Sequence, residues 1–216
     1  ALIGIPYSYR ATKSYIDTNV YGLLNILNAA RDSNVRKVIQ TSTSEVYGTP
    51  KFVPITENHP VIGQSPYSAS KIAADQIALS YEKSFKLPVT ILRPFNTFGP
   101  RQSARAVIPA IIIQLLKEKN LKLGSLFPTR DFTYVEDTVD GFINSIDNKK
   151  NIGEIINLGS GFEISIKELV KKIAKLMDKK VYLKKDILRV RPQHSEVKRL
   201  FASTKKAKKI LKCKPK

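Results

Sequence analysis

The sequence predicts an α/β protein built on a doubly wound parallel sheet, and three observations carry the prediction. Short runs at residues 35–40, 89–92 and 154–158 are rich in Val, Ile and Leu, as buried strands are. Longer segments between them place apolar residues three and four apart, which is the helical period. The two kinds of segment alternate, the order that builds parallel strands joined by helices.

Residues 13–34 read as the first helix, with Tyr15, Ile16, Val20, Leu23, Leu24, Leu27 and Ala30 as its apolar stripe. Asp32-Ser33-Asn34 ends it, and the strand over 35–40 runs into a polar loop. A helix over 68–85 leads through Lys86-Leu87-Pro88 to the strand over 89–92. A loop dense in Pro, Gly and polar groups follows at 93–101. Further helices are predicted over 107–119, 135–147, 165–177 and 204–211, with strand-like segments at 121–123, 154–158 and 181–183.

At 216 residues the chain holds one or two domains with a sizeable core. Its 42% hydrophobic and 25% charged residues are those of an ordinary globular protein. No apolar run approaches the roughly 18 residues of a membrane span, so no membrane partner is expected. Cys213 is the single cysteine, which suits a reducing cytoplasm, and with His59 and His194 it makes no metal-ligand spacing. The net charge of +19 is concentrated in residues 149–216, which carry 21 Lys and Arg against 6 Asp and Glu. Most of these are lysines on short segments such as Lys205-Lys206-Ala207-Lys208-Lys209, without interleaved aromatics. That pattern reads as a solvated surface that also attracts an anionic substrate, with no nucleic-acid partner.

Polar chemistry concentrates at residues 41–71. Thr41-Ser42-Thr43-Ser44-Glu45 sets hydroxyls and a carboxylate where a strand gives way to a loop, the ligand edge of an α/β sheet. Tyr67 and Lys71 open the next helix, and a spacing of four puts them on one face, a turn apart. A phenol titrates at about 10, and an ammonium beside it lowers that value toward the range of a useful base. Both features have a plainer reading, as helix neighbours and as a loop carboxylate in solvent.

Six segments in order resemble the extended short-chain dehydrogenase/reductases of the nucleotide-sugar epimerase and dehydratase family. The first three are Asn19-Val20-Tyr21-Gly22, Ser42-Thr43-Ser44-Glu45-Val46-Tyr47-Gly48 and Pro66-Tyr67-Ser68-Ala69-Ser70-Lys71. The others are Leu92-Arg93-Pro94-Phe95-Asn96-Thr97-Phe98-Gly99-Pro100, Arg130-Asp131-Phe132-Thr133-Tyr134-Val135-Glu136-Asp137 and Asn157-Leu158-Gly159-Ser160-Gly161. The resemblance covers essentially the whole chain. It implies a Rossmann-like sheet with a smaller α/β substrate-binding domain, NAD as cofactor, a nucleotide-sugar substrate, and a homodimer formed through residues 12–31 and 68–85. It assigns 1–99 to the remainder of the NAD-binding domain, with 128–160 returning to it, and 100–127 with 161–216 to the substrate-binding domain. Ala1-Leu2-Ile3 looks like the family's fourth strand, so the Gly-rich cofactor turn is expected ahead of this chain. Leu211-Lys212-Cys213-Lys214-Pro215 resembles a segment that more chain normally follows.

In that family a base takes the sugar 4-hydroxyl proton while C4 gives hydride to NAD. The resemblance implies Tyr67 as the base, Lys71 as its electrostatic partner on the nicotinamide ribose, and Thr43 as the hydroxyl that orients the 4-oxygen. Thr18, Ser42 and Phe95 match cofactor-lining positions. Asn96, Arg130, Asn157 and Arg191 match nucleotide-sugar contacts, the arginines as diphosphate clamps or, more plainly, as surface ion pairs with groups such as Asp131. Arg101, Ser103 and Arg105 form a further polar cluster in reach of a diphosphate.

Ser44-Glu45 stands where 4,6-dehydratases carry the pair that removes the C5 proton and expels the 6-hydroxyl, whereas simple epimerases carry small or neutral residues. The resemblance makes Glu45 the C5 base. Ser44 replaces the Asp of deoxythymidine-diphosphate-glucose dehydratases and matches the Thr-Ser-Glu of guanosine-diphosphate-mannose dehydratases. Its hydroxyl is too weak an acid to act alone and is expected to relay a proton. Ile5-Pro6-Tyr7-Ser8-Tyr9 and the segment 101–109 are most similar to bacterial dehydratases of a nucleotide-linked N-acetylglucosamine, en route to nonulosonic sugars such as legionaminic acid. The expected function is therefore an NAD-dependent nucleotide-sugar 4,6-dehydratase. A 4-epimerase, or a catalytically silent binding module of the same fold, stands as the alternative.

Overall fold

The computed structural model describes residues 1–117, 120–186 and 192–215. The chain enters through α1 (Ile5–Ser8) and α2 (Thr12–Ile16), widens into a π-helical turn (Asp17–Tyr21), and continues as α3 (Gly22–Asp32). Then come β1 (Val38–Thr41), a 3-10 turn (Ser44–Tyr47), α4 (Pro66–Phe85), β2 (Val89–Pro94) and β3 (Asn96–Phe98). The middle of the chain forms α5 (Val107–Lys117), β4 (Asn120–Leu123), β5 (Thr129–Arg130), β6 (Phe132–Tyr134) and α6 (Val135–Ile146). The last elements are β7 (Ile155–Leu158), β8 (Ile164–Ser165), α7 (Ile166–Leu176), β9 (Tyr182–Lys185), β10 (Arg199–Leu200) and α8 (Lys205–Leu211).

β1, β2 and β7 form a parallel sheet in that order, with Val38 opposite Val89 and Ile91 opposite Ile155. α3 and α4 cover one face, where Leu23, Leu27, Ala74 and Ala78 meet Val89 and Ile91. α6 and α8 cover the other, where Phe142, Ile210 and Leu211 meet Leu92 and Ile156. Alternate residues of β2 serve opposite layers, which is why that strand is apolar with hardly a break. The sheet is doubly wound, as the alternation predicts. Each fully buried Leu or Ile here contributes about 1.5–3 kcal/mol of burial free energy.

A second core joins α5, β4 and α7 through Ile111, Leu115, Leu121, Val170 and Ile173. β4 pairs in parallel with β9, and β3 with β6. β5 lies between β10, parallel to it, and β8, antiparallel to it.

Two expectations are corrected. The helix over 13–34 changes pitch at the π turn, which carries Asn19 inward. Ala1-Leu2-Ile3 forms no strand; the Leu2 N–H donates to Asn19 Oδ1 at 2.8 Å and its carbonyl accepts from Asn19 Nδ2 at 3.0 Å. A side chain thus satisfies the backbone groups that a neighbouring strand would otherwise take. Most other boundaries agree with prediction to within about two residues, and β1 starts later, at Val38. Residues 118 and 119, predicted helical, lie outside the described residues.

Lys37 ties β1 to the far layer, donating to the Ser145 and Asn148 carbonyls at 2.8 and 2.7 Å and to Asn151 Oδ1 at 2.6 Å. Replacing Lys37 by Met strands three acceptors and is expected to cost about 1–3 kcal/mol of stability, read by urea unfolding. Among the described residues no helix is long and apolar enough to cross a membrane. Nor do these residues place three or more His, Cys, Asp or Glu side chains to hold a metal ion.

Candidate active site

The site forms at the carboxyl ends of β1 and β2. Thr43 leaves β1 in extended conformation and its Oγ1 accepts the Glu45 N–H at 3.3 Å, which starts the 3-10 turn. Gly48 ends that turn at φ +60°, where an added Cβ would come within 2.6 Å of the Ile62 carbonyl. Across the cleft, Ser65 caps α4: its Oγ accepts the Ser68 N–H at 3.1 Å while Ser68 Oγ accepts the Ser65 N–H at 3.0 Å. Pro66 follows at the position where a missing N–H costs nothing. This cap starts the helix two residues earlier than predicted and seats Tyr67 in its first turn.

Thr43, Glu45, Tyr67 and Lys71 therefore converge. The Tyr67 hydroxyl faces Thr43, and its ring meets Tyr15 edge-on at 6.2 Å. Burial pushes the phenol up to about 12; Thr43 opposes this, while the charges of Glu45 and Asp75 add to it. The phenol thus stands above its ordinary value, contrary to the lowering that the sequence suggests from Lys71. The Lys71 ammonium donates to the Thr41 carbonyl at 2.6 Å, and burial lowers its own pKa.

The Tyr67 value has a consequence for stability. Folding holds the phenolic proton at pH values where the unfolded chain has already lost it, so this contribution is intact below about pH 10 and lost toward 12. Tyr67→Phe is expected to flatten the alkaline loss of stability by up to about 3 kcal/mol, read by urea unfolding at rising pH.

Beneath the site lies a polar network that sequence reasoning missed. Asp75 is fully buried one turn beyond Lys71, and its Oδ2 accepts from Arg93 Nε at 3.1 Å, Arg93 Nη2 at 3.0 Å and Ser42 Oγ at 2.7 Å. Arg93, 2% exposed, also donates to the Tyr47 hydroxyl at 3.0 Å and lies over its ring at 4.9 Å. Tyr47 donates in turn to Asn157 Oδ1 at 2.7 Å, and the Asn157 N–H donates to Glu57 at 2.9 Å. Asn19 adds a link from the π turn, donating to Ser70 Oγ at 3.0 Å. The one signal in the sequence was an acid, Asp75, set four residues after Lys71 on the inward face of a helix.

Other predicted residues fall differently. Asn157 is fully buried and spends its side chain on Tyr47 and the Ile55 carbonyl, which braces the loop over 48–64. Ser42 gives its hydroxyl to Asp75, and Phe95 lies in the core beside Tyr47 and Ile55. Thr18 is exposed on the π turn. Asn96 is half-buried, with an Oδ1 that has no hydrogen-bond partner. Arg130 is buried and pairs with Glu196 at 3.3 Å rather than with Asp131. Asp131 accepts instead from the N–H groups of Ser160, Gly161 and Ala202, at 2.8, 3.0 and 3.2 Å. Ser44 is buried, while Arg101, Ser103 and Arg105 are exposed. Arg191 lies outside the described residues.

The family model described as GDP-mannose 4,6 dehydratase matches residues 1–216, the whole chain. The chain belongs to the GDP-mannose 4,6-dehydratase family. Within it, similar curated relatives include the low-salt glycan biosynthesis protein Agl12 of Haloferax volcanii, 36% identical over 78% of this chain and 54% of its own. The dTDP-D-glucose 4,6-dehydratase of Homo sapiens is 38% identical over 80% of this chain and 49% of its own. The chain thus spans about half the length of these relatives. The solved UDP-glucuronic acid 4-epimerase of Bacillus cereus, in complex with UDP-glucuronic acid and NAD, matches 100% of this chain and 68% of its own, with a TM-score of 0.92 at 31% identity. The dTDP-glucose 4,6-dehydratase DesIV of Streptomyces venezuelae, with NAD bound, matches with a TM-score of 0.90 at 28% identity, over 100% of this chain and 66% of its own. Dehydratases and epimerases of the family share this fold, so the distinction between them rests on side chains at the site.

Proposed function

We propose that the protein is an NAD-dependent nucleotide-sugar 4,6-dehydratase acting on a nucleotide-linked N-acetylglucosamine. The observation that carries the reading is Glu45 beside Tyr67, close enough for its charge to act on the phenol. Dehydration needs a second proton acceptor, at C5, where epimerisation at C4 needs only the first.

The residues present fit the nicotinamide end of the cofactor. The Lys71 ammonium has three donors and the Thr41 carbonyl takes one, leaving two for ribose hydroxyls on the face that carries Tyr67. Thr18 is exposed to line the same ligand, whereas Phe95 and Ser42 support the site from below. Asn96 Oδ1, buried and unpartnered, fits a donor on the nucleotide sugar. Arg130, and Arg191 with Arg101, Ser103 and Arg105, are proposed for the diphosphate.

NAD, when bound, would supply the hydride chemistry between C4 and C6. Tyr67 would take the 4-hydroxyl proton once the positive charge of a bound nicotinamide offsets the burial that raises its phenol, with Thr43 holding the oxygen. The resulting ketone acidifies C5, and Glu45 removes that proton. The freed electron pair forms the C5–C6 double bond as the C6–O bond breaks, and the hydroxyl leaves as water with a proton relayed through Ser44. A proton returns to C5 as hydride enters C6. Residues 100–127 and 161–216 are proposed as the substrate-binding unit, a division supported by the separate core of α5, β4 and α7. A homodimer is proposed through the outer faces of α3 and α4, where Ile26 and Phe85 are exposed.

A 4-epimerase is the second reading, supported by the likeness to the Bacillus cereus enzyme. Full-length protein incubated with NAD and UDP- or GDP-N-acetylglucosamine separates the two by mass. The dehydratase reading expects a product lighter by one water; turnover at unchanged mass would replace it with the epimerase.

A further inference from the structure

We propose that Asp75 is the positioning residue that keeps Lys71 charged and in place, and that Arg93 keeps the Asp75 carboxylate ionised beneath the site. Lys71 and Asp75 stand four apart on one face of α4, and both are buried, at 4% and 0% exposure. A buried ammonium is disfavoured unless an opposite charge lies near it. The Thr41 carbonyl offers Lys71 a dipole but no charge.

The hydrogen bonding of Asp75 is lopsided. Oδ2 takes all three donors, two from Arg93 and one from Ser42, while Oδ1 is buried with no hydrogen-bond partner. A carboxylate kept only to anchor Arg93 would share its oxygens between the two guanidinium donors. Here one oxygen is held and the other has no donor, one turn from Lys71; burial raises the Asp75 carboxyl, and Arg93 and Ser42 oppose that rise. Arg93 cannot turn away from Asp75, because the Tyr47 hydroxyl and ring hold its other side.

The charged and titratable groups around the pair come from every adjoining element. Tyr67 shares α4 with Lys71, Arg93 faces Asp75 from β2, and Tyr47 reaches Arg93 from the 3-10 turn. Glu45 and Tyr15 act on Tyr67 from the same turn and from α2. Asp75 is the carboxylate whose charge acts on Lys71, opposing the burial that drives off its proton. A neutral Lys71 would lose its electrostatic hold on a phenolate at Tyr67.

This inference rests on reading Lys71 as the partner of Tyr67, not on the reaction that follows C4 oxidation. Its test is a carbon-13 NMR titration of the Lys71 Cε in full-length protein labelled at lysine, the signal assigned by its loss in Lys71→Arg. Asp75→Asn is expected to lower the Lys71 midpoint by about one unit, a tenfold change in proton affinity. An unchanged midpoint in the folded variant overturns the proposal, since loss of a merely structural contact would leave the titration in place. Where Asp75→Asn alone does not fold, the double variant Asp75→Asn with Arg93→Met removes both charges and strands neither. Its Lys71 midpoint is expected to fall below that of Arg93→Met, which lacks the same cation, and an equal midpoint in the two is equally contrary. The titration needs no turnover, so an epimerised product would remove the dehydratase reading without touching this result, and a fixed midpoint would do the reverse.

Discussion

Glu45→Gln is expected to stop exchange of the substrate C5 proton with deuterium while oxidation at C4 persists in part. Gln keeps the size of the side chain but cannot take up a proton. Thr43 caps the backbone N–H of residue 45, so the start of the turn is held through the main chain, which the substitution leaves in place. Positioned acid–base groups contribute about 10²–10⁴-fold, so overall dehydration should fall by that factor. Cofactor reduction in a single turnover should fall far less. Removing the Glu45 charge also relieves one of the forces that raise the Tyr67 phenol, which favours the first step rather than harming it. Unchanged C5 exchange in this variant would move the role of base to another residue.

Arg93→Met is expected to destabilise the fold by about 3–5 kcal/mol, because it leaves the fully buried Asp75 carboxylate without its cation. Total stability for a domain is about 5–15 kcal/mol, so the single change removes a large share of it. The Tyr47 hydroxyl loses a donor in the same step. Adding Asp75→Asn should recover most of the loss, since a buried neutral pair of similar volume avoids desolvating two ions. Urea unfolding of the two single variants and the double variant gives the coupling directly. A double variant no more stable than Arg93→Met would mean that Arg93 acts through packing and not through its charge.

Much of this protein was legible from its residues, and the exceptions share physical causes. β2 and β7 showed themselves because they are buried with hardly a break, and α4 showed itself because Tyr67, Lys71, Ala74 and Ala78 repeat at helical spacing. Local composition said nothing of the π turn, which depends on Asn19 bonding to Leu2 and to Ser70 of α4. Such long-range partners leave no periodicity behind. The partners of Asn157 left no local signal for a similar reason: Tyr47 and Ile55 lie about a hundred residues away in the chain. The spacing of Tyr67 and Lys71 correctly put them on one face. It could not show that the ammonium would turn to the Thr41 carbonyl, or that burial would raise the phenol.

The fate of C5 and C6 separates dehydration from epimerisation, and one measurement reads both. Full-length protein, NAD and a nucleotide N-acetylglucosamine are allowed to react in heavy water, and the product is examined by proton NMR. Dehydration through Glu45 predicts a methyl group at C6, a ketone at C4 and deuterium at C5. A product that keeps its C6 hydroxymethyl group and its C5 proton, with only the configuration at C4 inverted, would contradict it.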